Sequence, residues 1–214
     1  MKNLMKMFAL LGLVFTFGLA QAQGSPQADK VIKASKKKFD SASDISAKFS
    51  YTLSNPNMKK PITKSGSFQY KKGNKYRVEF PDMVIVSDGK YIWQILIEDE
   101  EITKTDFTEE AMGPEKIFQA YEDDTKSRYD GVEGATEKVT LFANNKTDEL
   151  WKTELWINKS DKLPAKAKMH ARNGSTYAYT MNGMKINGGI SDATFSVDES
   201  KYEDDGFIFT DLTD

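Results

Sequence analysis

From Ser46 onward the apolar residues recur at every second position, in short runs separated by tight turns. A side chain on a strand points to the opposite face from its neighbours, so this period commits most of the chain to antiparallel β-structure with one greasy and one wet face. Ala47, Phe49, Tyr51 and Leu53 alternate with Ser46, Lys48, Ser50 and Thr52. The pattern returns in Ser65–Tyr70, and Lys72-Gly73-Asn74 turns the chain into Tyr76–Phe80. Met83–Ser87 is joined to Tyr91–Ile97 by Asp88-Gly89, a strong hairpin signal because glycine supplies positive φ without steric cost. Glu101–Asp106 follows, and after a break the pattern resumes around Leu141, Trp151–Ile157, Ala165–Arg172 and Tyr177–Met181. Asp192–Val197 reads as the last regular strand, with a terminal one at Phe207–Phe209.

Two stretches carry the helical period instead. In Gln27–Phe39, Ala28, Val31, Ile32, Ser35 and Phe39 share one face, and Lys30, Lys33, Lys36, Lys37 and Lys38 fill the other positions. Such a lysine-rich helix has two readings: a surface helix with its apolar face on a sheet, or a contact for an anionic membrane or acidic partner. The second helix is inserted midway, opened by Pro114 and striped by Ile117, Phe118 and Tyr121. No linker or repeat divides the chain, so one domain is expected: a long antiparallel sheet with one helix before it and one within it.

The N-terminus reads as an export signal. A basic start, Lys2 and Lys6, precedes an apolar run from Met7 to Leu19, and Ala20-Gln21-Ala22 gives the small-x-small pattern of a cleavage site. A run of about a dozen residues is shorter than the roughly 20 needed to span a bilayer. The expected division is a signal peptide over 1–22, cleaved after Ala22, and one domain over 23–214. With no cysteine in the chain, lipid modification after the apolar run and disulfide stapling are both excluded. The exported protein is expected to be soluble and held by its core. The formal net charge of −2 does not suit a phosphate backbone, so no nucleic-acid partner is expected.

Chemistry by side chains is poorly supported. The single histidine, His170, lies on the polar parity of its strand, and no G-x-S-x-G elbow occurs. One histidine and no cysteine make a zinc site unlike the usual ligand sets, so no metal and no cofactor are expected. Acidic pairs such as Asp123-Asp124 fall in turn-like stretches. The chain is not read as an enzyme.

A sheet this long curls, because strands twist, and its apolar face must be covered. By parity that face holds Phe49, Tyr51, Phe68, Tyr70, Tyr76, Trp93, Met169, Tyr177, Tyr179 and Met181. Two short helices cover only part of it. The remainder is either an ordinary core or a cavity for something apolar, and methionine suits an irregular wall.

Four segments resemble a known family in order along the chain. Val86-Ser87-Asp88-Gly89-Lys90-Tyr91-Ile92-Trp93 is similar to a "vSDGk-x-hW" hairpin, where h is apolar. Asp44-Ile45-Ser46-Ala47-Lys48-Phe49-Ser50 is similar to the family's first strand. Gly66-Ser67-Phe68-Gln69-Tyr70-Lys71-Lys72 is similar to its "G-x-h-x-h-K-[RK]" strand, and Ile190–Val197 to its closing strand. The family is that of the periplasmic outer-membrane lipoprotein carriers, LolA. The resemblance implies an incomplete β-barrel with a helical lid over a hydrophobic cavity. It implies acylated lipoproteins as cargo, an inner-membrane lipoprotein-releasing ABC transporter as donor and an outer-membrane acceptor. It places the chain in the periplasm, most simply as a monomer. The cavity residues it implies are those of the greasy face together with Ile95, Leu141, Phe118 and Tyr121. The family's lid latch, often an arginine, matches Lys72, which offers a point charge rather than a planar multi-donor contact. A carrier or sensor of another lipid, such as a glycolipid or an envelope-stress ligand, would use the same cavity. The family's acceptor protein needs a lipidated cysteine, which this chain does not have.

Overall fold

Helix α1 (Pro26–Ser41) begins where three local signals coincide. The Ser25 side chain accepts from the Ala28 N–H, Pro26 stands at the first helical position, and Asp29 lies in the first turn. The buried stripe is Ala28, Val31, Ile32, Ser35 and Phe39, as the sequence pattern predicts. The computed structural model describes residues 24–108 and 125–214. The export signal over 1–22 and the helix expected at Pro114–Tyr121, with Phe118 and Tyr121, lie outside the described residues.

The strands are β1 (Asp44–Ser54), β2 (Ile62–Lys71), β3 (Lys75–Glu79), β4 (Met83–Asp88), β5 (Tyr91–Leu96) and β6 (Glu101–Asp106) in the first half. The second half holds β7 (Thr125–Glu133), β8 (Thr136–Ala143), β9 (Leu150–Asn158), β10 (Pro164–Ala171), β11 (Thr176–Ile186) and β12 (Ile208–Asp211). All twelve form one sheet in the order β12-β6-β5-β4-β3-β2-β1-β11-β10-β9-β8-β7. It is two meanders joined where β1 pairs with β11, and it stays open and curled rather than closing into a barrel. The β4–β5 turn is set by Asp88, whose carboxylate accepts from the N–H groups of Lys90 (2.7 Å) and Tyr91 (2.8 Å). Gly89, at φ 94°, cannot be replaced there: a Cβ would stand 2.2 Å from the Gly73 carbonyl oxygen.

The register decides which residues share a face. Tyr70 opposes Tyr76, Tyr76 opposes Ser87, and Ser87 opposes Ile92. The inner face, on which α1 lies, therefore takes Ile92 and not Trp93. Two clusters fill it. Ala28, Val31 and Ile32 of α1 pack on Val139, Leu141, Leu155, Ile157 and Ala167. Phe39, at the other end of the helix, packs with Ile45, Phe49, Phe68 and Tyr76.

A third cluster lies on the outer face and corrects the parity reading. Val84, Val86, Trp93, Ile95 and Ile102 pack there against Val197, Tyr202, Phe207 and Phe209 of the C-terminal segment. Ile92-Trp93-Gln94-Ile95-Leu96 carries apolar residues on both parities, Ile92 and Leu96 on one and Trp93 and Ile95 on the other, so alternation could not choose between them. The same segment corrects a second expectation. Asp192–Phe195 is a 3₁₀ turn and not a strand: the Ser191 side chain accepts from the Ala193 N–H, and the turn buries Phe195. A short helix, α2 (Glu199–Asp204), then leads into β12, which runs parallel to β6.

Ile32 and Leu155 are fully enclosed between α1 and the sheet. Truncating either to alanine should cost about 2–5 kcal/mol, from lost transfer energy and the cavity left behind. Urea denaturation of Ile32→Ala and Leu155→Ala measures this, and a loss well under 1 kcal/mol would contradict the helix-on-sheet core.

Candidate apolar binding face

The inner face between the two clusters is built by four strands from the centre of the sheet. On β1 and β11, Phe49 opposes Met181, Tyr51 opposes Tyr179 and Leu53 opposes Tyr177. On β10, Ala167 opposes Tyr179 and Met169 opposes Tyr177. β2 contributes Gly66 opposite Phe49, a position closed to larger residues because a Cβ would lie 2.3 Å from the Glu79 carbonyl oxygen and 2.9 Å from the Phe49 ring. The rings stack across strands: Tyr51 and Tyr179 have centroids 5.0 Å apart, Phe49 meets Phe80 edge-on at 5.3 Å, and Phe39 lies 5.6 Å from Tyr70.

The residues read from the sequence divide into three sets. Phe49, Phe68, Tyr76 and Leu141 are buried in the clusters beneath α1. Tyr51, Tyr70, Met169, Tyr177, Tyr179 and Met181 share the same face but remain partly exposed, and so form its accessible apolar wall. Trp93 and Ile95 are on the far side of the sheet. The Trp93 indole N–H donates to Glu199 at 2.8 Å, and Lys104 reaches the same carboxylate at 3.0 Å, which ties the C-terminal helix down. Phe80, Ile85, Phe107, Met184 and Ile186, which the sequence pattern does not assign to the cavity wall, also join the inner cluster. Ile85 lies within β4, where Met83-Val84-Ile85-Val86 is apolar at both parities; Phe80 and Phe107 follow the ends of β3 and β6, and Met184 and Ile186 lie at the end of β11.

The electrostatics of this face are those of a dry, neutral surface. Burial pushes the Tyr179 hydroxyl up to about 12, and the neighbouring phenols Tyr51 and Tyr177 add to the shift. Tyr51 is raised for the same reasons, burial first and Tyr177 second. Tyr51 and Tyr179 therefore stay uncharged at any physiological pH. The helix expected at Pro114–Tyr121, which a latch at Lys72 would engage, lies outside the described residues. The Lys72 side chain is exposed, and its backbone N–H donates to the Ser43 carbonyl at 3.0 Å. The flanking Lys71 and Lys75 carry the ionic contacts instead, both to Asp192.

The outer face is different in kind. A depression of about 460 Å³ between β1, β2 and β11 is lined by charged and polar side chains, among them Lys48, Gln69, Glu79, Asn182 and Lys185, together with Ala47 and Phe68. Across β8–β10, Glu154 accepts from His170 at 2.6 Å and Lys138 at 3.1 Å, with Lys152 at 3.6 Å. His170 is thus a member of an ion network rather than a freely solvated side chain. Burial alone would raise the Glu154 carboxyl, but the His170 and Lys138 hydrogen bonds outweigh it and hold it at about 2.

The fold and this face define a class, that of open, curled sheets presenting one apolar concave surface. The family model described as outer membrane lipoprotein carrier protein LolA matches residues 40–198, and the chain belongs to that family. Its members are carrier and binding proteins rather than enzymes. No curated protein matches the sequence. Among solved structures, an uncharacterized conserved protein from Thermus thermophilus is similar at 12% identity and a TM-score of 0.55, over 88% of this chain and 99% of that one. LprF from Mycobacterium bovis is similar at 11% identity and a TM-score of 0.50, over 79% and 97%. The Mycobacterium tuberculosis lipoprotein LppX aligns at 12% identity and a TM-score of 0.48, over 78% and 99%.

Because Glu154 is held below its ordinary value of 4.5 in the folded state, its contribution is present above about pH 4.5 and is lost as pH falls towards 2. Glu154→Gln should flatten the acid limb of stability in that window. Thermal melts of both proteins between pH 6 and pH 2.5 check it; parallel acid limbs would reject the network as a source of stability.

Proposed function

We propose that this protein is a periplasmic carrier that receives the acyl chains of lipoproteins released by an inner-membrane ABC transporter and hands them to an outer-membrane acceptor, working as a monomer after cleavage behind Ala22. The observation that carries this reading is the partly exposed apolar wall of Tyr51, Tyr70, Met169, Tyr177, Tyr179 and Met181 on the inner face. Family membership supports it. Each buried methylene contributes about 0.8 kcal/mol, so an acyl chain seated on this wall does not escape readily to water. Transfer must then pass by contact with the acceptor. A wall of methionine and aromatic side chains fits many chains loosely, which keeps release possible.

The site is tested by binding of a fluorescent palmitoyl probe. Tyr51→Glu and Tyr179→Glu place a carboxylate on the apolar wall, at a cost of several kcal/mol, and should weaken the probe about a hundredfold or more. Trp93→Phe removes the indole donor to Glu199 on the opposite face. It should lower stability by about 1 kcal/mol and leave probe affinity unchanged. Equal loss of binding in all three variants would sink the assignment of the inner face.

The cargo is tested by incubating the protein with spheroplasts making labelled lipoproteins. Lipoproteins recovered in the supernatant as complexes with this chain are the expected result. Absence of release, with free lipid or glycolipid copurifying in its place, would replace lipoprotein carriage by carriage of that lipid.

A further inference from the structure

The outward face of α1 has no role in the fold or in acyl-chain binding, and its charge is unusual for this chain. Pro26, Lys30, Lys33 and Lys37 follow one another at helical spacing on the side opposite Ala28, Val31, Ile32, Ser35 and Phe39, and all four are exposed. The two acids of the helix are already engaged: Asp29 accepts from the Ser127 hydroxyl at 2.6 Å, and Asp40 binds Lys36 at 2.7 Å. Lys30, Lys33 and Lys37 have no ion-pair partner among the described residues. The helix thus presents a line of uncompensated positive charge on a protein whose formal net charge is −2. Its position gives that line a direction. The buried side of α1 rests on the inner face, so the lysines point out of the concave side, the side from which the acyl-binding wall is reached.

We infer that this lysine line docks the protein on an anionic phospholipid surface, with the concave side turned towards the bilayer. The partner is the headgroup layer itself, because three exposed cations spread along a straight helix fit a planar, diffuse negative charge. No pocket or hydrogen-bonding partner around them, among the described residues, selects one shaped ligand. The purpose of the contact rests on the carrier reading above, since a protein that takes up acyl chains gains by facing their source. The contact is weak and salt-sensitive: a lysine near an anionic membrane contributes about 1 kcal/mol, and screening sets in within about 10 Å at 0.1 M salt.

The test is cosedimentation of the cargo-free protein with vesicles of phosphatidylglycerol and phosphatidylcholine, against vesicles of phosphatidylcholine alone, at low and high salt. Binding should favour the anionic vesicles at least tenfold and fall away at high salt. Insertion of the apolar segment Met7–Leu19, if it is retained, would survive replacement of the helix lysines and high salt, and separates itself by that criterion. Replacing Lys30, Lys33 and Lys37 with glutamine should lower binding to the anionic vesicles by on the order of a hundredfold. A control with Lys48, Lys168 and Lys185 replaced by glutamine changes net charge equally on the outer face and should bind as the unchanged protein does. Equal binding to both vesicle types, or equal loss in the two triple variants, would overturn the proposal, and in the first case an acidic protein surface becomes the better partner. Palmitoyl-probe binding by the Lys30/Lys33/Lys37 variant, expected to be unchanged, keeps a failure of docking distinct from a failure of the acyl-binding face.

Discussion

Everything on the concave side depends on one pairing between residues far apart in the chain, β1 with β11. Each meander alone is a local structure, built from hairpins whose turns are set by their own residues. Only the ladder from Ile45↔Ile186 to Ser54↔Thr176 makes them one curved surface. It is pinned at one end by Asp44, which is buried and accepts from the N–H groups of Gly188 (2.7 Å) and Gly189 (3.1 Å), while the Asn187 side chain accepts from the Ser43 N–H at 2.7 Å. Burial would raise the Asp44 carboxyl, but these backbone bonds overcome it and hold the group below its ordinary value. The pairing also creates the site, because Tyr51 and Tyr179 face each other only through this register.

The sheet uses its two faces for different work. The inner one is apolar from β8 to β3 across the sheet's centre, shared between a helix-covered core and a partly exposed wall. The outer one is polar over β8–β11, where lysines lie against Trp156 and bind Glu154, and apolar only over β4–β6. An apolar patch left open to water there would be a liability. The C-terminal segment covers it, fixed through Glu199 to Trp93 and Lys104 and through Asp192 to Lys71 and Lys75. Its last strand also pairs with β6, which would otherwise be a free edge.

What could be read in the sequence follows from which elements bury one face. β1, β10 and β11 are wet on one side, so alternation assigned Tyr51, Met169, Tyr179 and Met181 correctly to a shared face. β5 carries apolar residues at both parities, so its sequence holds no information about which side Trp93 takes. Only the register from Tyr76 through Ser87 to Ile92 resolves it. β7 escaped reading for the opposite reason: as an edge strand it carries Lys126, Arg128 and Asp130 on one parity and Ser127, Tyr129 and Gly131 on the other, with little apolar contrast. The turn at Asp192–Phe195 alternates as a strand does, yet the Ser191 cap and the Asp192 ion pairs, which act through space, draw it into a 3₁₀ turn.

The position of α1 limits how cargo can enter. A helix over a cavity invites the picture of a lid that swings away, but the N-terminal half of α1 is core. Ala28 and Ile32 are fully buried, Val31 nearly so, and the helix start is tied to β7 by the Ser25 N–H to the Ser127 carbonyl and by the Ser127 hydroxyl to Asp29. Lifting the helix would return Val31, Ile32 and Phe39 to water at about 1.5–3 kcal/mol each. That sum is comparable to the whole stability of an ordinary domain, roughly 5–15 kcal/mol. A carrier that opened this way would unfold nearly as often as it loaded. On the carrier reading proposed above, an acyl chain would reach the wall with α1 in place, across the strip where Tyr51, Tyr177 and Tyr179 are partly exposed, and α1 would serve as a margin of the site.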